Sequence, residues 1–488
     1  MAFQNYLAMD FGAGSGRGII GSFDGETIRL QEIHRFKNYF VDQNGTFFWD
    51  ALGLFQQMLI AIGKSSGLAD APVSIGIDTW GTDYGMIADN GQLLGNCRCM
   101  RNADDCYVRA CERKISMREL FSRTGIQMLY GNTVFQLFER AQGNDPALKN
   151  AAKMLMMPEL LAYFLTGDRH SEYTIATTSM LYNVHTRTWD AELARRLGIP
   201  THIFADILMP ASTAIPMRTA LCEQVGIKKL DYIPVGTHDT ASAVAAIPLD
   251  RDVAFCSSGT WSIFGIERDE PLLDDAAFNA NFSNEGTVDG KVRLLKNIMG
   301  MWILQQCQAE WEHQGSALSW DEITALAADA APMQSFINLE EPEFYRAGDM
   351  PRRVREYCRR TKQHVPESIG EIARCVYESL AMRYRYTMDQ LEAITGRRLK
   401  ALHIVGGGSQ NALLNRFAAN AIGRPVYAGP TESACIGNAL VQACAIGELS
   451  GLAELRQVVK KSFQIDIYEP KDRDFWEEKY QQYKEIAG

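Results

Sequence analysis

Asp239 stands in the segment Gly236-Thr237-His238-Asp239-Thr240, after the apolar run Tyr232–Val235 and before the small-residue run Ala241–Ala246. An acid at the end of an apolar strand suits a general base. A hydroxyl that attacks phosphorus must lose its proton, and a positioned carboxylate can take it. An aspartate before Thr-Ala-Ser equally serves as a helix N-cap. His238 alone reads more readily as a satisfied structural histidine than as a catalyst. A second acidic segment holds Asp78, Trp80, Gly81 and Asp83, which offer two carboxylates and an indole face suited to a polyol. Trp80 fits a core position equally well.

Three glycine-rich turns could hold an anion. Gly12-Ala13-Gly14-Ser15-Gly16-Arg17 misses the dinucleotide fingerprint because Arg17 occupies the third glycine position. Gly63-Lys64-Ser65 ends like a P-loop, but Met58 stands where its leading glycine belongs. A different phosphate site fits the first turn: successive backbone N–H groups after a strand form a concave nest that binds anions without net positive charge. Arg17 either adds a phosphate contact or faces solvent. Ser257-Ser258-Gly259-Thr260 supplies a second set of N–H and hydroxyl donors, and Gly406-Gly407-Gly408 permits close approach of a flat ring or a phosphate. Any one of these could be an ordinary tight turn. All three follow an apolar run.

The elements that must position these residues are legible as a pattern. Tyr6–Asp10, Ile19–Phe23 and Ile28–Phe36 read as strands, the last two joined at Asp24-Gly25. Asp50 caps a helix with an apolar face of Leu54, Phe55, Met58, Leu59 and Ile62, and Ser74–Asp78 returns as a buried strand. The strand–turn–strand pattern recurs at Val253–Ser257, Ser258-Gly259-Thr260 and Trp261–Glu267, which argues for two similar lobes. Ile372–Ile394 is a helix stopped at Gly396; Leu402–Val405 and Pro425–Ala428 are strands, each followed by a helix. The expected fold is therefore α/β, with mixed sheets flanked by helices and a lobe boundary near Ala246–Asp252.

The chain has 488 residues, 46% of them hydrophobic, and a net charge of −10. This length allows about three average domains or two large lobes. The charge disfavours a general nucleic-acid or anionic-membrane binder. No apolar stretch is long enough for a bilayer, and the first residues lack signal-peptide character, so a cytoplasmic protein is expected. Cys97, Cys99, Cys106 and Cys111 invite a zinc reading, but without paired C-x-x-C knuckles reduced thiols are preferred. Cys358 and Cys375 meet if their helices pack. The Arg352–Lys362 run reads as a solvated helix face, and Asp472–Ile486 as an amphipathic helix docked on the second lobe.

Seven segments taken together resemble the FGGY carbohydrate kinases of the actin-like, hexokinase-related ATPase superfamily, and within them the branch acting on L-rhamnulose. They are DFGAGSGR at 10–17, EIHRF at 32–36, GIDTWGTD at 76–83, HDTASAV at 238–244, SSGTWSIFG at 257–265, LKNIMGMWILQ at 295–305 and HIVGGGSQN at 403–411. The resemblance implies two RNase H-like lobes, 1–246 and 247–488, around an interlobe cleft. It implies ATP-dependent phosphorylation of L-rhamnulose at O1, with Mg²⁺, in a monomer or homodimer. Asp239 matches the family's general base, flanked by His238 and Thr240 at the sugar. Ala13, Gly14, Ser15, Gly16 and Arg17 match the first phosphate loop, and Asp10 the acid near the metal. Thr260 matches the second phosphate contact, Gln305 and Gly407 nucleotide contacts, and Gly81 and Asn297 substrate contacts.

Two segments depart from that branch. Met100-Arg101-Asn102-Ala103-Asp104-Asp105 replaces Tyr-Arg-Asp-x-Arg-Thr, and Asn284-Glu285-Gly286 is followed by Thr287 instead of a second glycine. Both lie near segments expected to frame the sugar, which keeps L-fuculose as an alternative. A non-catalytic sugar or nucleotide sensor on the same fold is a further alternative, disfavoured by the presence of Asp239 and all three glycine loops.

Overall fold

The computed structural model describes residues 3–248 and 250–487. In chain order, the elements used below begin with strands β1 (Gln4–Phe11), β2 (Ser15–Phe23) and β3 (Ile28–Lys37), helix α1 (Ala51–Ser66) and strand β4 (Ser74–Thr79). Helix α2 (Tyr173–Thr178), strands β5 (Ile215–Pro216) and β6 (Asp231–Tyr232) and helix α3 (Asp239–Ala245) follow. Next come β7 (Val253–Ser258), β8 (Trp261–Arg268), β9 (Ser283–Gly286), β10 (Val292–Met299), α4 (Trp302–His313) and α5 (Ile369–Thr395). The last are β11 (Ala401–Val405), α6 (Ala412–Ile422), β12 (Val426–Ala428), α7 (Ser433–Ala445), β13 (Asp466–Tyr468) and α8 (Arg473–Ala487).

Contacts divide the chain into two compact units that are not contiguous in sequence. The first holds Met1–Pro248, Glu267–Leu294 and Ser433–Ser462; the second holds Leu249–Ile266, Leu295–Glu432 and Phe463–Gly488. In the first unit a six-stranded sheet runs β5-β6-β4-β1-β2-β3. β1 pairs antiparallel with β2 and parallel with β4, and this second register sets Asp10 directly beside Asp78. β4 is buried along its whole length, as a parallel strand covered on both faces must be, whereas β3 alternates as a half-solvated strand does. α1 starts where Asp50 accepts the Gly53 N–H, and it buries Leu54, Met58, Leu59 and Ile62.

The same hairpin-plus-parallel arrangement recurs in the second unit. β7 pairs antiparallel with β8 and parallel with β11, within the order β10-β8-β7-β11-β12-β13. This repeats β1, β2 and β4 strand for strand, so the sequence echo marks a real structural repeat. The α8 helix buries Trp476, Tyr480 and Tyr483 within its own unit, while Phe475 stays exposed. Cys358 and Cys375 meet as hydrogen-bonded thiols, also inside the second unit. Burial pushes the Cys97, Cys99 and Cys111 thiols up to about 12, leaving Cys106 as the exposed member of that cluster. No helix among the described residues is long and apolar enough to cross a membrane.

α7 completes the first unit. Its small residues let it approach α3 so closely that a Cβ on Gly437 would overlap the Ser242 carbonyl oxygen. That contact brings Asn438 and Gln442 over the central strands, where Gln442 bonds Ser74 and the Leu7 carbonyl.

Candidate active site

Three carboxylates gather at the ends of β1, β4 and the loop into α3. Asp10 is 4% exposed, and its Oδ2 accepts from Arg17 Nε at 2.9 Å and Nη2 at 2.6 Å. Arg17 therefore grips Asp10, a contact that neither reading of its side chain anticipated. Asp78 is fully buried; its Oδ2 accepts from Asn438 Nδ2 at 2.6 Å, while its Oδ1 has no hydrogen-bond partner. Burial, and then the charge of Asp10, push the Asp78 carboxyl well above the usual carboxylate range.

Asp239 is the first residue of α3, and His238 is the N-cap, so the capping expectation is off by one position. An isolated parallel bridge between Thr79 and His238 continues the line of β4 and fixes where Asp239 emerges. The ladder before it is shorter than the apolar run suggests. β6 ends at Tyr232, and the chain from Ile233 to Thr237 stays beside β4 through single hydrogen bonds to Ile75 and from Thr79. Asp239 Oδ1 accepts from the Thr240 N–H at 2.6 Å and the Thr240 hydroxyl at 3.2 Å. The side chain keeps 31% of its surface open. Its carboxyl is raised, chiefly by burial and also by Asp10, with His238 and Thr240 opposing.

Trp80 and Asp83 turn inward. The Trp49 and Trp80 indole N–H groups both donate to Asp83 Oδ2, at 2.6 and 3.0 Å, and Gln136 donates to Oδ1 at 3.2 Å. The two indole rings lie 4.3 Å apart. Burial lifts the Asp83 carboxyl to about 6 against those three donors. These groups form a structural clamp, not an open polyol face. The clamp holds Gly81 and the strained Thr82, whose φ is +70° and whose carbonyl accepts from the Thr133 hydroxyl at 2.7 Å. Gly81 packs against Thr178, where a Cβ would lie 3.1 Å from the hydroxyl oxygen.

Ala13, Gly14 and Ser15 are exposed at the β1–β2 turn, which is closed by the Gly12 N–H donating to the Ser15 carbonyl at 2.9 Å; buried Gly16 opens the ladder beyond it. Asn38 ties the turn down through the carbonyls of Gly12 and Gly14. Thr260, Gln305, Asn297 and Gly407 belong to the second unit. Thr260 sits in the β7–β8 turn, its hydroxyl 3.2 Å from Gln305 Oε1 on α4. The triglycine packs on β7: a Cβ on Gly408 would overlap the Ser258 hydroxyl, and one on Gly406 would lie 2.9 Å from the Ser258 carbonyl oxygen. Gly407 between them is exposed and faces open space, so it leaves a flat backbone surface free. Asn297 is half-buried on β10.

Among the described residues no three His, Cys, Asp or Glu side chains converge as a ready cation site. The donor chemistry nevertheless fits a hard divalent ion at Asp10. Carboxylate oxygens suit such an ion, Asp78 Oδ1 beside it is unpartnered, and Mg²⁺ commonly uses one or two carboxylates with phosphates and water completing its shell.

Sequence reasoning did not find Trp49, Gln136, Asn438 or Arg293, and it met Glu285 only within a segment expected to frame the sugar. Only Asn438 carried a signal, as an amide within the small-residue run Ser433–Ala439. His238 Nε2 lies 3.5 Å from Asp239 Oδ1, and its Nδ1 lies 3.3 Å from Glu285 and 3.2 Å from Arg293.

Family models match both halves of the chain: the N-terminal domain of the FGGY family of carbohydrate kinases over residues 5–246, and the C-terminal domain over 254–446. A rhamnulokinase of Bacteroides thetaiotaomicron is 41% identical, with 99% of each chain covered. Rhamnulokinases of Enterococcus faecalis, 38% identical with 96% of this chain and 94% of that one covered, and of Bacillus subtilis, 36% identical with 96% of each covered, are similar along the same span. Among solved structures, a gluconate kinase of Lactobacillus acidophilus superposes with a TM-score of 0.81 at 18% identity, covering 99% of this chain and 98% of that one. A glycerol kinase of Plasmodium falciparum gives 0.76 at 15% identity, covering 99% and 98%; these two likenesses speak to the fold. With both domain models matched and relatives aligned end to end, the chain belongs to the FGGY family of carbohydrate kinases.

Proposed function

We propose that this sugar kinase phosphorylates L-rhamnulose at O1 with ATP, and that Asp239 is the general base. The observation that carries the substrate is the 41% identity to a rhamnulokinase over 99% of both chains. We assign residues 1–246 the sugar, the base and the first phosphate loop, and residues 247–488 the nucleotide.

The geometry at Asp239 supports the role. Two donors from Thr240 engage Oδ1, which leaves Oδ2 as the oxygen that takes the proton of the attacking hydroxyl. Its raised carboxyl is a stronger base than an ordinary aspartate once ionised. His238, Thr240, Gly81 and Asn297 hold the sugar. Ala13 through Arg17 and Thr260 hold the phosphates, with backbone N–H groups placed against developing charge. Gln305 and the bare backbone at Gly407 hold the nucleotide. Asp10 would hold a divalent ion, which when bound would supply charge neutralisation for the phosphates.

The test is kcat/KM for L-rhamnulose, L-fuculose and L-xylulose under the same ATP and Mg²⁺, followed by ADP release. A preference for L-rhamnulose of roughly tenfold or more is expected, because a site built around a hydroxyl rejects its misplaced isomer. Comparable values for the three would overturn the substrate. ADP release that does not depend on sugar would overturn the kinase reading in favour of a sensor.

A further inference from the structure

Behind Asp239 lies a second row of charge. Arg293 on β10 is fully buried, and Glu285 on β9 is 3% exposed. Arg293 Nε donates to the Gly286 carbonyl at 2.9 Å, which anchors the guanidinium to β9. Its Nη2 reaches His238 Nδ1 at 3.2 Å and Glu285 Oε2 at 3.5 Å. Glu285 is fixed in turn by the Ser283 hydroxyl, which donates to Oε1 at 3.0 Å. A buried guanidinium is tolerated only beside a counter-charge, and Glu285 is that counter-charge. The His238 backbone is held by α2, where the Thr174 hydroxyl accepts its N–H at 3.2 Å, and by the bridge to Thr79 on β4.

We infer that Arg293 and Glu285 are positioning residues for catalysis, acting through His238 on Asp239. The argument turns on what each group can donate. Arginine carries only donors. A neutral ring bearing its hydrogen on Nδ1 would give it to Glu285 Oε2 at 3.3 Å, but would also set it against the guanidinium at 3.2 Å and turn a bare Nε2 toward the Asp239 carboxylate. With Nδ1 accepting from Nη2, the hydrogen sits on Nε2, 3.5 Å from Asp239 Oδ1. Oδ1 then faces three donors: the Thr240 N–H, the Thr240 hydroxyl and the His238 Nε2–H. The proton-accepting role passes to Oδ2. A buried ion pair two residues removed from the reaction thus adds a third donor on Oδ1 and reinforces the choice of Oδ2 that Thr240 begins.

This inference rests on Asp239 being the base, and the test separates the two. Removing one charge alone would strand the other, so the main variant is Arg293→Met with Glu285→Gln, which removes both. Its kcat is expected to fall about tenfold or more with KM for ATP within about twofold, provided circular dichroism and thermal midpoint match the parent. In a His238→Ala background the same pair of substitutions should cost nothing further, because coupled residues are not additive. Arg293→Lys, which keeps a donor-only cation, should recover much of the loss. Full additivity, or unchanged kcat in the folded double variant, would overturn the inference while Asp239→Asn remained dead. An active Asp239→Asn enzyme would instead remove the base itself. A readout independent of activity and of any variant is the ¹⁵N shift of the His238 ring in the parent protein near pH 8.5. Hydrogen on Nε2 supports the inference; hydrogen on Nδ1 with bare Nε2 overturns it.

Discussion

Replacing Asp239 by asparagine isolates the proton transfer from everything else the residue does. The Thr240 N–H donates to Oδ1 at 2.6 Å, so the single oxygen of an asparagine must occupy that position to keep the bond at the start of α3. The amide nitrogen then falls where Oδ2 was. It presents hydrogens to the sugar hydroxyl and has no lone pair with which to take a proton. The substitution reverses the polarity at the reacting oxygen instead of merely weakening a base. A positioned base contributes about 10²- to 10⁴-fold, and this geometry places the expected loss of kcat near the upper end, about 10³- to 10⁴-fold. At about 1.4 kcal/mol per decade that is roughly 4–5.5 kcal/mol of barrier. The fold should be untouched, since the Thr240 bonds persist and α3 keeps its start. KM for ATP should stay within about twofold, because no role in nucleotide binding attaches to this carboxylate. Coupled measurement of ADP release at saturating sugar, with circular dichroism as control, reads all three quantities. A folded Asp239→Asn enzyme within tenfold of the parent kcat would refute the reasoning.

Two further outcomes are expected. Burial and Asp10 raise the Asp239 carboxyl, and only the ionised form accepts a proton, so kcat/KM should fall as pH drops through a value above the ordinary aspartate range near 4; an acid limb at or below about 4 would contradict this. Gly407→Ala fills open backbone surface and should raise KM for ATP about tenfold with an unchanged thermal midpoint, whereas Gly408→Ala drives a Cβ into the Ser258 hydroxyl and should lower the midpoint as well; equal midpoints for the two would contradict the packing.

Much of the architecture was legible because its causes are local. β1 and β4 announce themselves as apolar runs ending in acids, since a parallel strand covered on both faces has no polar alternation to hide in. Asp50 and Gly396 bound their helices through bonds made within a few residues. The β7–β8 hairpin was readable as an echo of β1–β2 because the same turn chemistry serves both. What was not legible depends on contacts across long stretches of chain. Asn438 reaches Asp78 across 360 residues, and the assignment of Ser433–Ser462 to the first unit follows from α7 packing on α3 through Gly437. The one-residue offset at Asp239 has the opposite origin. The capping rule located the helix start, but the Thr79–His238 bridge belongs to the sheet and pulls the cap back to His238.

The site shows the same division between residue type and placement. Asp10, Asp78 and Asp239 were visible because acids after apolar strands are conspicuous, yet nothing in their spacing says how differently they are used. Asp10 pairs with Arg17, Asp78 is buried with one oxygen unpartnered, and Asp239 keeps an open face. Arg293 was invisible for a physical reason: charged residues are almost never fully buried, so its natural reading is a solvated surface, while Glu285 stood out only as part of a divergent segment near the sugar. Only the fold shows that they sit behind His238. The net charge of −10 acquires a local meaning from this arrangement. Two unit charges about 6 Å apart repel by roughly 3 kcal/mol at an effective dielectric of 20, so a polyphosphate brought to this cluster of acids is opposed unless positive charge intervenes. Arg17 already shares its charge with Asp10. In the proposed function the backbone N–H groups of the exposed residues Ala13, Gly14 and Ser15 would meet the phosphates together with Arg17 and a cation held at Asp10. On that reading an acidic chain binds an acidic nucleotide by presenting oriented dipoles and a cation at one strand end, and the β1–β2 turn is where the two would meet.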